Sequence, residues 1–124
     1  MYFVNILILI SMTFVVVVPF VGKDTTKMKV WEMANALDIG TIKNIEMFDN
    51  YDSNKYFRSF EIKYDKIYFN NNSRNVVEQL KIGGEVVVKM VTHKTSRWII
   101  RSFQPGSIMG VRPKKGSKRV YITV

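Results

Sequence analysis

Apolar residues along the chain change their spacing several times, and each change predicts a different element of secondary structure. The β-branched run FVVVVPFV predicts a buried strand over residues 13–19. The segment 23–40 predicts a helix, because its apolar residues recur at helical spacing. The expected inward face of this helix comprises Val30, Met33, Ala34 and Leu37. A strand followed by a helix therefore opens the predicted fold.

The ends of this helix and its tryptophan also carry predictions. Asp24 and Thr25 are candidates to cap its first turn, and Gly40 is expected to supply the left-handed residue that stops it. Trp31 in the helix and Trp98 near the end of the chain are both expected in the core, because they fall at helical and strand spacing.

Two further strands are predicted over residues 41–48 and 56–64, joined by the turn-forming sequence DNYDSN. Each strand alternates apolar with polar residues, which places its apolar residues on one face of a sheet. The residues expected to point inward are Ile45, Met47, Phe60, Ile62 and Tyr64.

A shorter helix is predicted over residues 74–80, with Ser73 or Asn72 as its cap and a double glycine after it. Its expected buried residues are Val76, Val77 and Leu80. The strands EVVVKMV and RWIIRSF then flank the turn THKTS, either as a hairpin or as one long bent strand, with His93 in the turn. The last segment is rich in Pro, Gly and Lys and predicts an irregular tail, with VYITV as a candidate short strand.

This order of elements predicts an α+β domain of the ferredoxin-like type, βαββαβ, with a four-stranded antiparallel sheet and two helices on one face. Right-handed crossovers predict the strand order 4-1-3-2. The expected organisation is an apolar extension over residues 1–11, the domain over 12–103 and a basic tail over 104–124. The predicted shared core comprises Val16, Val18, Ala34, Leu37, Ile45, Phe60, Ile62, Val76 and Leu80.

The amino-terminal apolar run leaves an alternative open. Residues 2–22 contain no charged residue, which is long enough for a membrane-spanning helix. The β-branched second half and Pro19 favour a strand and its exit turn. A membrane anchor over residues 1–21 therefore remains a second interpretation, with the basic domain on the cytoplasmic side.

Composition argues against catalysis. The chain has no cysteine and a single histidine, which excludes disulfides, thiolate metal sites and a cysteine nucleophile. The serines lie in no G-x-S-x-G sequence, as a serine hydrolase would require. We therefore expect no enzyme activity, no cofactor and no metal.

The net charge of +9 lies entirely in the last third of the chain. Residues 1–85 hold ten basic and ten acidic residues, so 9 of the 19 basic residues and none of the 10 acidic ones remain for residues 86–124. Such a surplus predicts a polyanionic partner, either nucleic acid or an anionic membrane surface. The nine are Lys89, Lys94, Arg97, Arg101, Arg112, Lys114, Lys115, Lys118 and Arg119.

Several segments carry a resemblance to a known family. The stretches VVVPFV, LDIGTIKNIEMF, SFEIKYDKIYF and RNVVEQL resemble RNA recognition motif (RRM)-like proteins encoded by nucleocytoplasmic large DNA viruses. The resemblance covers residues 13–103. It implies RNA binding by a viral protein located in the host cytoplasm or in the virion.

One departure from the RNA recognition motif bears on the expected site. Proteins of that family stack bases on aromatic residues of the open sheet face, where this chain would place Val17, Ser59 and Glu61. Phe57 is the aromatic residue that could substitute, and Lys63 lies on the same face. These two residues and the nine cations form the predicted nucleic-acid site.

The expected function is weak binding of RNA or DNA with little sequence preference, because contacts to phosphate carry no sequence information. The alternative is a viral interaction protein whose open sheet face docks a protein partner or a second copy. Val15, Val17 and Pro19 would form an apolar patch on that face, and such a patch needs a cover. Candidate covers also include the tail of the chain itself, through Ile108, Met109 and Val111.

Overall fold

The computed structural model describes residues 14–49 and 57–124, and the side chains of all of these except residues 93–96. The expected extension over residues 1–11 and residues 50–54 of the predicted turn lie outside the described residues. The elements in chain order are β1 (Phe14–Gly22), α1 (Lys27–Leu37), β2 (Gly40–Asp49), β3 (Phe57–Ile67), α2 (Asn71–Lys81), β4 (Val86–Met90), β5 (His93–Ser102) and β6 (Val120–Thr123).

The α+β class is confirmed, but the sheet is larger than the predicted four antiparallel strands. Six strands lie in the order β2-β3-β1-β5-β4-β6. All neighbours are antiparallel except β4 and β6, which are parallel. The four-stranded prediction allowed one strand after α2, whereas the structure has the β4–β5 hairpin, which was one of the two arrangements left open, and the candidate strand VYITV as β6.

The β-branched amino-terminal run forms the central strand β1, as predicted. β1 pairs with β3 along most of its length and with β5 through Val16 and Val17. The register with β3 shifts between Val18 and Val21, around Pro19, which has no backbone N–H to donate. Residues 14–21 are therefore part of a sheet and not of a membrane helix, and no described helix has the length and apolar character to span a membrane.

The helix α1 forms where the apolar periodicity predicts it, but both of its ends differ from the prediction. Thr26, one residue beyond the predicted caps, accepts a hydrogen bond from the Lys29 backbone N–H. Asp38, and not Gly40, takes the left-handed conformation, with φ 57°. Gly40 instead begins β2, where a Cβ atom would lie 2.2 Å from the Lys66 carbonyl oxygen. That glycine is required for the close approach of β3 and not for the end of the helix.

The helix α2 is longer than predicted because its cap lies further upstream. The Asn70 side chain accepts from the Ser73 backbone N–H at 2.8 Å, and the Asn70 backbone N–H donates to the Ser73 hydroxyl at 3.0 Å. This reciprocal pair is a capping box, which adds three residues to the predicted start of the helix at residue 74.

Both helices pack on the same face of the sheet, and the predicted core is confirmed. Eight of its nine expected residues belong to one buried cluster, and Ile45 packs against that cluster from the edge strand β2. Trp98 is buried as expected. The prediction for Trp31 was wrong, since the indole is 45% exposed on the outer side of α1.

The carboxy-terminal segment joins the sheet. Val91 and Thr92 alone turn the β4–β5 hairpin, so His93 begins β5 and is not a turn residue. Val120, Ile122 and Val124 contribute to the core cluster from β6 or next to it. The boundary expected at residue 103 therefore does not mark the end of the sheet.

Candidate nucleic-acid interface

The face of the sheet opposite to the two helices, here called the helix-free face, carries most of the predicted site. The register places Val17 of β1 beside Glu61 of β3 and Arg101 of β5. Ser59 and Phe57 lie on the same face of β3, because side chains alternate along a strand. The side chains predicted to replace the stacking aromatics are thus where they were expected.

A later segment of the chain covers part of the centre of this face. Val17 is fully buried, and Ser59 is 1% exposed. Gly110 lies above Val17 with a positive φ of 71°, where a Cβ atom would be 3.2 Å from the Val17 Cβ and 2.6 Å from the Ser102 carbonyl oxygen. The Val111 backbone N–H donates to that same carbonyl oxygen at 2.9 Å. The segment through Gly110 thus covers Val17, one of the three residues of the apolar patch that motivated the docking alternative.

Two of the nine predicted cations are engaged by one buried carboxylate. Glu85, which precedes β4, is 3% exposed and accepts from Arg101 Nε at 3.0 Å and from Arg119 Nε at 2.5 Å. The hydrogen bond to Glu85 raises the pKa of Arg119 above its ordinary value. Arg101 also donates to the Met109 carbonyl oxygen at 3.4 Å. These arginines therefore hold the carboxy-terminal segment against the sheet.

A second pair of cations lies across the β4–β5 hairpin without such a partner among the described side chains. Lys89 of β4 is directly opposite Arg97 of β5 on the helix-free face. The Lys89 ammonium lies 5.6 Å from the ring centroid of Tyr121, which is 56% exposed on β6. An aromatic ring and two like charges thus meet at the β4–β6 side of the face.

Four of the five remaining predicted cations lie in the loop that leads into β6. Arg112, Lys114, Lys115 and Lys118 are all exposed. Local hydrogen bonds shape this loop, since the Ser117 backbone N–H donates to the Lys114 carbonyl oxygen at 3.0 Å. The buried Gln79 amide of α2 donates to the Lys118 carbonyl oxygen at 2.6 Å and anchors the loop. The side chain of Lys94 lies outside the described residues.

Phe57 and Lys63, predicted on β3, have separate partners. Lys63 donates to Glu46 of β2 at 3.0 Å and forms a salt bridge with it. Phe57 is 39% exposed and packs edge to face on Phe20, with ring centroids 6.2 Å apart. The Arg101 guanidinium lies 5.0 Å from the Phe20 ring centroid. Phe57 therefore joins an aromatic cluster, whereas Lys63 is paired with a carboxylate.

Two aromatic residues of this surface were missed by the sequence interpretation. Phe20 follows Pro19, where the register shift changes the alternation, so period-two counting does not place its side chain. Tyr121 lies in a segment interpreted as a tail. The signal that could have revealed it was the alternation of Val120, Ile122 and Val124, which are the core-facing residues of this segment.

Among the described side chains, no group of acidic residues has a metal-binding arrangement. The buried carboxyl of Glu61 has its pKa raised, mainly by burial and then by the charge of Glu46, while Lys63 lowers it. Comparisons with protein-family models, curated proteins and solved structures found no match.

Proposed function

We propose that this protein binds nucleic acid weakly and with little sequence preference, and that it is not an enzyme. The proposed site is the β4–β6 side of the helix-free face together with the loop before β6. We call this surface the basic corner, and it comprises Lys89, Arg97, Lys114, Lys115, Lys118 and Tyr121.

The observation that carries the proposal is the Lys89–Arg97 pair. Like charges directly opposite each other on neighbouring strands destabilise a sheet. The buried carboxylate of Glu85, which precedes β4, already accepts hydrogen bonds from Arg101 and Arg119. A bound phosphate group would relieve the repulsion between Lys89 and Arg97.

The expected specificity follows from the kind of contact. Lysine and arginine contacts to phosphate supply affinity but do not distinguish bases. Tyr121 offers an aromatic surface beside Lys89 on which any base can stack. If five cations of the basic corner touch phosphates, log affinity falls with log salt at a slope of about −4.5 on duplex DNA and about −3.5 on single strands.

The test is fluorescence anisotropy of labelled single-stranded and duplex oligonucleotides over a range of salt concentrations. Lys89→Ala with Arg97→Ala should weaken binding to every sequence alike and flatten the duplex slope by about 1.8, because two phosphate contacts are lost. The matched control is Lys23→Ala with Lys66→Ala, which removes the same charge from exposed residues outside the basic corner. A second variant, Lys114→Ala with Lys115→Ala and Lys118→Ala, should flatten the slope by about 2.7.

Equal effects of the double variant and its charge-matched control would show that net charge alone, and not the basic corner, governs binding. A steep loss on Phe57→Ala alone would move the site to the aromatic cluster. Absence of binding to any oligonucleotide at low salt would contradict the proposal and favour a structural role.

We also propose that the ferredoxin-like, RRM-like unit is present within the larger sheet. The order β2-β3-β1-β5 is the predicted 4-1-3-2 order if β5 takes the place of the fourth strand. On this proposal β4 and β6 are additions at the β5 edge. The support is the strand order and the position of both helices on one face.

A further inference from the structure

At the opposite edge of the sheet from the basic corner, an apolar groove runs between α1 and β2. It has a volume of about 440 Å³. Its lining residues are Lys27, Met28, Trp31, Ile42, Lys43, Asn44 and Ile45. Met28 is 63% exposed and Trp31 is 45% exposed, so large apolar side chains face open space. Large exposed apolar side chains grouped in a groove are typical of a binding surface.

The strand beside the groove has a free edge. β2 is the last strand on its side of the sheet, and no described segment pairs with its outer side. Its register with β3 is regular from Asn44 to Asp49, after the shifts around Ile42. Met47 lies on the helix side of this regular part and is 40% exposed. The groove therefore continues along a stretch of backbone that can accept another strand.

The charges around the groove select the kind of partner. Its charged lining residues, Lys27 and Lys43, are both basic and exposed. Lys27 also stands in the first turn of α1, which contains no acidic residue. A cation at this end of a helix is unfavourable, because the exposed backbone N–H groups already carry partial positive charge. A carboxylate supplied by a partner would compensate both lysines and the end of the helix.

We infer that the groove binds an extended peptide of another protein, in which an apolar side chain is flanked by Asp or Glu. The peptide adds as a new strand to the outer side of β2, and backbone hydrogen bonds hold it there. Its apolar side chain packs against Trp31 and Met28, and its carboxylates lie near Lys27 and Lys43. This surface is separate from the basic corner, so the inference does not depend on nucleic-acid binding.

The test begins with selection of a random twelve-residue peptide library against the immobilised full-length chain. Enriched peptides should combine apolar residues with Asp or Glu. In hydrogen exchange, a synthetic copy of the best peptide should protect the amides of β2 between Ile45 and Asp49. Trp31→Ala should weaken this peptide at least about tenfold, because truncating a central aromatic contact has effects of that size.

Two further variants distinguish specific binding in the groove from nonspecific peptide binding to exposed apolar residues. Phe69→Ala removes another exposed aromatic residue, outside the groove, and should leave peptide affinity unchanged. Lys43→Glu should weaken the acidic peptide and leave the urea midpoint of unfolding near that of the wild type, because this side chain is exposed.

Several outcomes would overturn the inference. They are an absence of enrichment, enriched peptides without acidic residues, unchanged affinity for Trp31→Ala, and protection confined to strands other than β2. Concentration-dependent dimerisation that is abolished by Trp31→Ala would assign the groove to a second copy of the chain instead.

Discussion

Two like-charge pairs lie across neighbouring strands on the helix-free face, and they differ in the compensating charges around them. Glu46 of β2 is opposite Glu61 of β3, and Lys89 of β4 is opposite Arg97 of β5. Within the acidic pair, Lys63 forms a 3.0 Å salt bridge with Glu46, and burial raises the pKa of Glu61. Within the basic pair, both side chains lack an acidic neighbour among the described residues of their strands.

This difference separates a structural role from a binding role. The acidic pair is partly compensated inside the fold by Lys63, and the raised pKa of Glu61 reflects the remaining cost of its charge. The basic pair keeps its repulsion, which an external anion can relieve. Glu85 shows that cations of the β5-β4-β6 half can also be compensated inside the fold, because its buried carboxylate forms salt bridges with Arg101 and Arg119. We therefore expect the two halves of the sheet, β2-β3-β1 and β5-β4-β6, to differ in how their charges are compensated while they share one core.

The largest expected effect is on that shared core. Phe60→Ala should lower the free energy of unfolding by about 3 to 5 kcal/mol, because Phe60 is fully buried in the cluster that joins both halves. In a Trp31→Phe background, fluorescence of Trp98 on β5 should report the same urea midpoint as circular dichroism. The control Phe69→Ala should change stability little, since that ring is exposed. Separate midpoints for the two probes would show that the halves unfold independently.

A smaller effect is expected at the buried carboxylate. Glu85→Gln should lower the free energy of unfolding by about 2 to 3 kcal/mol, because it leaves Arg101 without its charged partner in a buried site. The expected loss is smaller than for a fully buried ion pair, because Arg119, the second partner of Glu85, has a side chain that is 50% exposed. Urea titration checks the loss, with Glu78→Gln on the exposed side of α2 as the control.

Glu85→Gln also tests the proposed nucleic-acid binding, provided that enough of the variant remains folded. Freed from Glu85, Arg101 and Arg119 can contact phosphate, so the salt slope on duplex DNA should steepen by up to about 1.8. An unchanged slope would show that these arginines stay in place without the carboxylate.

The smallest expected effect concerns the acidic pair and depends on pH. Burial and then Glu46 raise the folded-state pKa of Glu61 above its ordinary value of 4.5. A raised carboxyl pKa favours folding below the ordinary value, and this contribution is lost as pH rises through the folded pKa. Glu61→Gln should therefore increase stability at neutral pH, and the difference should shrink towards zero near about pH 3. Urea midpoints across this range check it, and a destabilised variant at pH 7 would contradict it.

The amino-acid pattern alone was sufficient to predict the elements whose apolar periodicity is strong. The runs around Val16, Val30 and Phe60 specify β1, α1 and β3, because a buried face leaves a clear spacing of apolar residues. The alternation in β3 also placed Ser59 and Glu61 on the helix-free face. The cluster of cations in the last third was visible as composition.

Which of the described cations are exposed and which pair with a buried carboxylate depends on contacts between segments that are distant along the chain. Glu85 lies 16 residues from Arg101 and 34 from Arg119, and no local pattern links them. The parallel pairing of β6 with β4 likewise joins distant segments, and its polar and glycine-rich approach looked like a tail. Trp31 was misplaced because helical spacing identifies a periodic residue but not whether a neighbouring element covers it. Whether a basic side chain pairs with a carboxylate or stays exposed depends on contacts that form only when distant segments pair in the sheet.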